Sequence, residues 1–167
     1  RNKKISLMSL EILEDYIREN QEKLYKVAYT YTRNQDLALD VVQEAITKSL
    51  ENISKLKHEE YVKTWFYRIL INESLKVYKR NKKYIQLELQ EDIQTNQGYN
   101  EDKIAENIDI YNNIQKLDNK LKTVIILRFF ENLKIEEIAV ITKTNVNTVK
   151  SRLYKGLNEM KKNIERR

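Results

Sequence analysis

Cysteine and proline are absent from the 167 residues, histidine occurs once and glycine twice. Without cysteine there is no disulfide framework, no Cys-ligated zinc and no thiol nucleophile. The single histidine, His58, excludes two-histidine metal sites and two-histidine mechanisms. Gly98 and Gly156 stand alone, so glycine-rich phosphate loops of the Walker and Rossmann types are excluded. No apolar run approaches the roughly 18 residues of a membrane span. The strongest, Val124 to Leu127, stops at Arg128. No secretory signal is read, and the cytoplasm is the expected compartment. Strand-rich folds need tight turns, which favour Gly, Pro and Asn. Their scarcity predicts an all-α chain.

What is present suits a helical protein. Hydrophobic residues make up 41%, enough for a core, and 34% are charged. Lys and Arg number 31 against 25 Asp and Glu, a net charge of +6. The charge is segregated. Asn72 to Lys83 holds five bases and one acid, Tyr84 to Ile110 seven acids and one base, and Thr142 to Arg167 eight bases and two acids. The acidic middle is also rich in Gln and Asn and poor in large apolar residues. This predicts two small helical domains, 1–85 and 103–167, joined by a flexible acidic linker over 86–102.

Apolar spacing fills in the helices. Leu10, Leu13 and Ile17 form one stripe, and Leu24, Val27, Ala28 and Tyr31 a second at i, i+3, i+4, i+7. Asn34 and Asp36 break and recap the chain. Ala38, Val41, Val42, Ala45, Ile46 and Ser49 make the most regular stripe. Val62, Trp65, Phe66, Ile69 and Leu70 start a fourth helix that runs into the bases ending at Lys83. In the second half an amphipathic helix is expected near Ile104, Ile108, Tyr111 and Leu117. Leu121 to Phe129 is apolar almost all round, which predicts burial. A short helix, Lys134 to Val140, follows.

Thr142-Lys143-Thr144 then separates that short helix from a longer basic one, about Asn145 to Ile164, with Asn145 as N-cap. This is the helix-turn-helix pattern. Val146, Val149, Leu153, Leu157 and Met160 are spaced for packing. Asn147, Thr148, Lys150, Ser151, Tyr154 and Lys155 fall largely on the other face. Amides and hydroxyls can bond base edges, and lysines can neutralise phosphates. In the fourth helix, aromatics are interleaved with bases, a pairing suited to unpaired nucleotides. Trp65 and Phe66 are read as core. Tyr67, Arg68 and Asn72 are read as the exposed contacts. From these residues alone, a self-sufficient helix-turn-helix regulator and a helical adaptor for acidic partners both stay open. An enzyme is a distant third: Glu59-Glu60 and Glu136-Glu137 have no supporting constellation, and no cofactor is expected.

Leu24-Tyr25-Lys26-Val27-Ala28, Asp40-Val41-Val42-Gln43-Glu44-Ala45 and Thr64-Trp65-Phe66-Tyr67-Arg68-Ile69 resemble region 2 of bacterial sigma factors. Ile135-Glu136-Glu137-Ile138-Ala139 and Val146-Asn147-Thr148-Val149-Lys150-Ser151-Arg152-Leu153 resemble region 4. There is no room for a region 3. The layout is similar to the extracytoplasmic-function branch of the sigma-70 family, over about residues 10 to 162. The resemblance implies a non-enzymatic initiation factor that binds core RNA polymerase at the β′ clamp helices and β flap and directs it to promoter DNA. It implies docking through Asp40, Gln43 and Glu44. It places the −10 element on Lys63, Tyr67, Arg68 and Asn72, with Lys76, Lys79 and Arg80 on upstream phosphates. It places the −35 element on Asn147, Thr148, Lys150, Ser151, Tyr154 and Lys155, with Arg152 reaching phosphate or an acidic neighbour. It further implies an anti-sigma factor, often membrane-anchored, with no membrane insertion by this chain itself. Lys143 stands where the family's turn usually has glycine.

Overall fold

The computed structural model describes residues 2–87, 110 and 112–166, with side chains from residue 7 onward. Most of the expected acidic linker, and of the helix expected around Ile104 and Ile108, lies outside them. Among the described residues the structure is helical, with no strand. The chain divides into two units, Arg1–Lys82 and Lys83–Arg167.

The first unit contains α1 (Asn2–Glu19), α2 (Gln21–Thr32), α3 (Gln35–Asn52) and α4 (Val62–Arg80). Two 3₁₀ turns, Ile53–Lys55 and Glu59–Tyr61, lie between α3 and α4. The expected stripes meet in one core. Leu13 and Ile17 of α1, Leu24, Val27, Ala28 and Tyr31 of α2, Ala38, Val41 and Ala45 of α3, and Val62, Phe66 and Leu70 of α4 are buried. α4 is the hub and packs on each of the other three helices. It stops at Arg80, and a separate helical turn covers residues 82–87, so the single run to Lys83 expected from the sequence is divided at Asn81. The break between α2 and α3 falls where expected. Asn34 caps α3, its side-chain oxygen accepting from Leu37 N–H at 3.0 Å.

The second unit contains a helical turn at 112–115, α5 (Asn119–Ile125), a π-helical turn (Ile126–Phe130), α6 (Ile135–Thr142) and α7 (Val146–Glu165). Asp118 caps α5 through Leu121 N–H at 3.0 Å. Leu121 through Leu127 are buried as expected, but Phe129 is exposed. The π turn is the reason. It widens the helix, closing with Glu131 N–H on Ile126 C=O, and carries later side chains off the 3.6-residue period. Arg128 uses the exit to donate to Leu133 C=O at 3.0 Å.

α7 packs on α5 and α6. Its buried seam is Val149, Leu153 and Gly156, with Met160 half-buried. Leu157, expected in that seam, is 43% exposed. At 100° per residue, Gly156 continues the row from Val149 and Leu153, while Leu157 falls to its edge. Asn113 ties the 112–115 turn to α7, donating to Met160 C=O at 3.2 Å and accepting from Asn163 Nδ2 at 3.0 Å.

Scarcity of glycine leaves a mark on the backbone. The left-handed positions among the described residues are Arg33, Asn132 and Lys143, at φ of 53°, 53° and 54°. Asn tolerates this region, whereas Arg and Lys occupy it against a Cβ clash. Lys143 closes α6 in a Schellman arrangement. Thr144 N–H bonds Ala139 C=O at 3.0 Å, and Lys143 N–H bonds Val140 C=O at 3.2 Å.

Candidate functional site

In each unit the core packing turns polar helix faces outward. In the first, burial of Ala38, Val41 and Ala45 turns the opposite side of α3 outward. Asp40, Gln43 and Glu44 are all exposed there, at i, i+3, i+4. The structure therefore brings the three expected docking residues onto one face. Leu39, beside them, is also exposed, so the face carries an apolar neighbour outside the buried stripe.

The segment from Ile53 to Tyr61 is anchored at Ile53, which is buried. His58 is exposed, with its ring edge-on to Tyr61 at 6.0 Å between centroids. α4 follows. Arg68, Asn72, Lys76 and Lys79 lie at i, i+4, i+8, i+11 and share one flank, with Arg80 at its border. Asn72, Lys76, Lys79 and Arg80 are exposed, and Arg68 is half-buried. The bases at the end of α4 also complement the negative end of the helix dipole. Lys63 is half-buried on another flank, its ammonium 5.9 Å from the centre of the Tyr16 ring.

Tyr67 corrects the sequence reading. It is fully buried, not on the open flank. Its position is about 100° from Arg68 on the helix, toward α1. There its hydroxyl meets that of Tyr16 at 2.5 Å, and the two rings pack edge to face. Phe66 is buried, as expected. Trp65 is only half-buried, and at i−3 from Arg68 and i−7 from Asn72 it shares their flank. The aromatic on the polar flank is thus Trp65, where the sequence reading had Tyr67. Both residues sit in an aromatic run, and only the packing of α1 decides which is covered.

Two charged residues between these faces were passed over. Glu73 is buried on α4 at 7% exposure. Its carboxylate lies 2.5 Å from Lys48 Nζ on α3 and 3.4 Å from Lys76 Nζ. The bond to Glu73 is the main cause holding the Lys48 ammonium above the ordinary lysine range. A lone acid within a basic stretch was the available signal.

In the second unit, α6, the turn and α7 form the expected helix-turn-helix. Asn145 caps α7, its side-chain oxygen accepting from Thr148 N–H at 2.8 Å. Lys143 meets the turn's need for a left-handed residue without glycine. Thr142 and Thr144 brace the turn with a hydroxyl contact of 2.9 Å. Asn147, Lys150, Ser151, Tyr154 and Lys155 are exposed on one arc of α7, opposite the Val149–Leu153–Gly156 seam. Tyr154 is the most open, at 73%. Thr148 and Arg152 are half-buried at the side of that arc. The arc offers an amide, a hydroxyl, a phenol and two ammonium groups with no acid among them, which suits a polyanion with hydrogen-bonding edges.

Among the described residues no cluster of His, Asp or Glu could hold a metal ion, and no helix is long and apolar enough to cross a membrane. The family model for Sigma-70 region 2 matches residues 16–84, and that for Sigma-70 region 4 matches residues 108–160. The chain is 40% identical over 150 residues to the RNA polymerase sigma factor SigV of Bacillus subtilis, covering 90% of this chain and 89% of that one. It is 27% identical over 180 residues to the ECF RNA polymerase sigma factor SigW of the same organism, covering 98% and 95%. Among solved structures, the sigma factor RpoE of Bartonella quintana, crystallised with the anti-sigma factor NepR, is similar at a TM-score of 0.66 and 20% identity, covering 91% of this chain and 98% of that one. CnrH, solved with the cytosolic domain of CnrY, is similar at a TM-score of 0.70 and 14% identity, covering 96% and 97%. The fold and the two matched regions are those of a bacterial transcription initiation factor. The chain belongs to the sigma-70 family of RNA polymerase sigma factors, in its extracytoplasmic-function branch.

Proposed function

We propose that this chain binds core RNA polymerase and directs it to promoters by reading a −10 element with its first unit and a −35 element with its second. The observation that carries this is the pairing of two matched regions in order on one chain, each exposing polar helix faces. Asp40, Gln43 and Glu44 are the docking surface for the polymerase clamp, an acidic face suited to a basic partner. The flank of α4 with Trp65, Arg68 and Asn72, together with Lys63, engages the separated −10 strand. An unstacked base costs a few kcal/mol, which stacking on an aromatic and hydrogen bonds to polar side chains offset. Lys76, Lys79 and Arg80 track phosphates upstream. On α7, Asn147, Thr148, Ser151 and Tyr154 face base edges in the major groove, and Lys150, Arg152 and Lys155 face the backbone.

The division into 1–85, 86–102 and 103–167 belongs to the same proposal. An acidic tether lets each unit bind DNA weakly alone, while the polymerase fixes their spacing and supplies the gain of effective concentration. No chemistry is assigned to side chains of this chain; bond formation belongs to the polymerase. The chain works wherever the polymerase is, in the cytoplasm. An anti-sigma factor restrains it by covering the docking and reading faces, and a membrane anchor on that partner would hold both at the membrane.

Run-off transcription with bacterial core polymerase on a pool of genomic promoter fragments tests the proposal. Discrete new transcripts are expected with the chain, and loss of them when Asp40, Gln43 and Glu44 are replaced by Ala. No transcript and no co-migration with core polymerase would overturn it.

A further inference from the structure

Four charged side chains run in a row across the first unit: Glu44, Lys48, Glu73 and Lys76. The contacts between them are unequal. Lys48 Nζ lies 2.5 Å from the Glu73 carboxylate and 3.9 Å from that of Glu44. Lys76 Nζ lies 3.4 Å from Glu73. The middle bond is short and charge-assisted, the bond from Lys76 to Glu73 is long, and the Glu44 pair is at the edge of ion-pair range. Lys48 is therefore divided between two carboxylates, and Glu73 between two ammonium groups. Glu73 is buried, so its charge must be met from within this row. Whatever strengthens Lys48 on Glu73 loosens Glu73 from Lys76.

We propose that Glu73 is a positioning residue that couples occupancy of the α3 carboxylate face to the availability of Lys76 for a DNA phosphate. The proposal rests on the assignment above of Glu44 to docking and Lys76 to phosphate. In the unbound chain Glu44 draws on Lys48, and Glu73 completes its compensation with Lys76. A cationic group of the polymerase seated on Glu44 removes that draw. Lys48 then satisfies Glu73 alone, and the Lys76 ammonium turns to solvent or phosphate. Linkage makes the effect reciprocal: a phosphate on Lys76 leaves Glu73 to Lys48, which releases Glu44 for the polymerase. The row spans α3 and α4, the helices that carry the two faces, so no movement of the fold is required.

Amine-labelling rates read by mass spectrometry on the full chain test this directly. Replacing Glu44 by Ala mimics the occupied state and should speed labelling of Lys76 about two- to fivefold, the scale of a partly exposed ion pair. Glu73→Gln should speed it as well, and Lys48→Met should slow it. Unchanged Lys76 labelling in Glu44→Ala and Glu73→Gln, with helicity intact by circular dichroism, would overturn the proposal even if Lys48→Met does not fold. In holoenzyme at saturating core polymerase, on the promoter fragment giving the strongest run-off transcript, Lys48→Met and Lys76→Ala should weaken binding alike. Their combination should do no worse than either, and Lys48→Arg should restore binding. Additive losses would sink the coupling while leaving the phosphate assignment standing. A Lys76→Ala variant that binds as well as the parent would remove both.

Discussion

The hydroxyls of Tyr16 and Tyr67 meet at 2.5 Å and join α1 to α4 at the point where α4 turns from core to polar flank. Phe66 packs edge to face on both rings, so that hydrogen bond lies within an aromatic cluster. That bond explains why a tyrosine can be fully buried beside Arg68.

Tyr67→Phe should therefore act on stability and not on DNA reading. Loss of the part-buried bond to Tyr16 predicts destabilisation by about 1 kcal/mol. Trp65 is the sole tryptophan and lies in the first unit, so its fluorescence during urea unfolding reports the change. Transcript yield at a temperature well below unfolding should stay near the parent's.

Trp65→Ala should show the opposite split. A half-buried ring on the polar flank contributes less to the core than Phe66, but stacking on one base is worth about 1–3 kcal/mol. Open-complex formation, followed with a fluorescent base analogue in the −10 element, should fall about tenfold or more. Closed-complex affinity should change far less.

Lys143→Gly should stabilise the second unit. The left-handed conformation costs a non-glycine residue about 1–2 kcal/mol, and glycine gives back part of this through its freer unfolded chain. A net gain of about 0.5–1 kcal/mol is expected in thermal unfolding followed by circular dichroism.

Alkaline pH should weaken the tie between α3 and α4. The Lys48 ammonium is held above its ordinary value of 10.5, chiefly by its bond to Glu73. A cation favoured in the folded state contributes its stability in full below the unfolded value and loses it as pH rises through the folded one. The stability difference between the parent and Lys48→Met should be constant from neutral pH to about 9 and shrink above 10.5.

Most of the helices were legible because apolar spacing is a local property. Ala38, Val41 and Ala45 could only face inward together, and that fixed where Asp40, Gln43 and Glu44 would point. The Asn34 and Asn145 caps were legible for the same reason, since a cap needs only its own first turn. The failures came from neighbours distant in sequence. Tyr67 is covered because α1 delivers Tyr16 to it, across 51 residues. Phe129 left the core because a π turn broke the period on which its burial was argued. Leu157 lost its place to Gly156 because the packing of α7 on α5 favours the smaller residue. Lys48 and Glu73 lie 25 residues apart on different helices, and a lone acid in a basic stretch marks Glu73 without naming its partner.

Gly156 has a consequence beyond filling a seam. A Cβ there would stand 3.0 Å from Ile125 Cγ1 and 3.2 Å from its Cδ1, so the bare backbone lets α7 settle closely onto α5. Gly156 lies half a turn of the helical wheel from Asn147, on the far side of α7 from the exposed arc. A Cβ at 156 requires the Ile125 side chain to give by a few tenths of an ångström, and a bulkier side chain that Ile125 could not accommodate would act as a shim, lifting the helix from its bed and pushing the opposite face outward. The second glycine of a glycine-poor chain thus serves as a depth stop, setting how far Asn147, Ser151 and Tyr154 stand proud of the body that carries them.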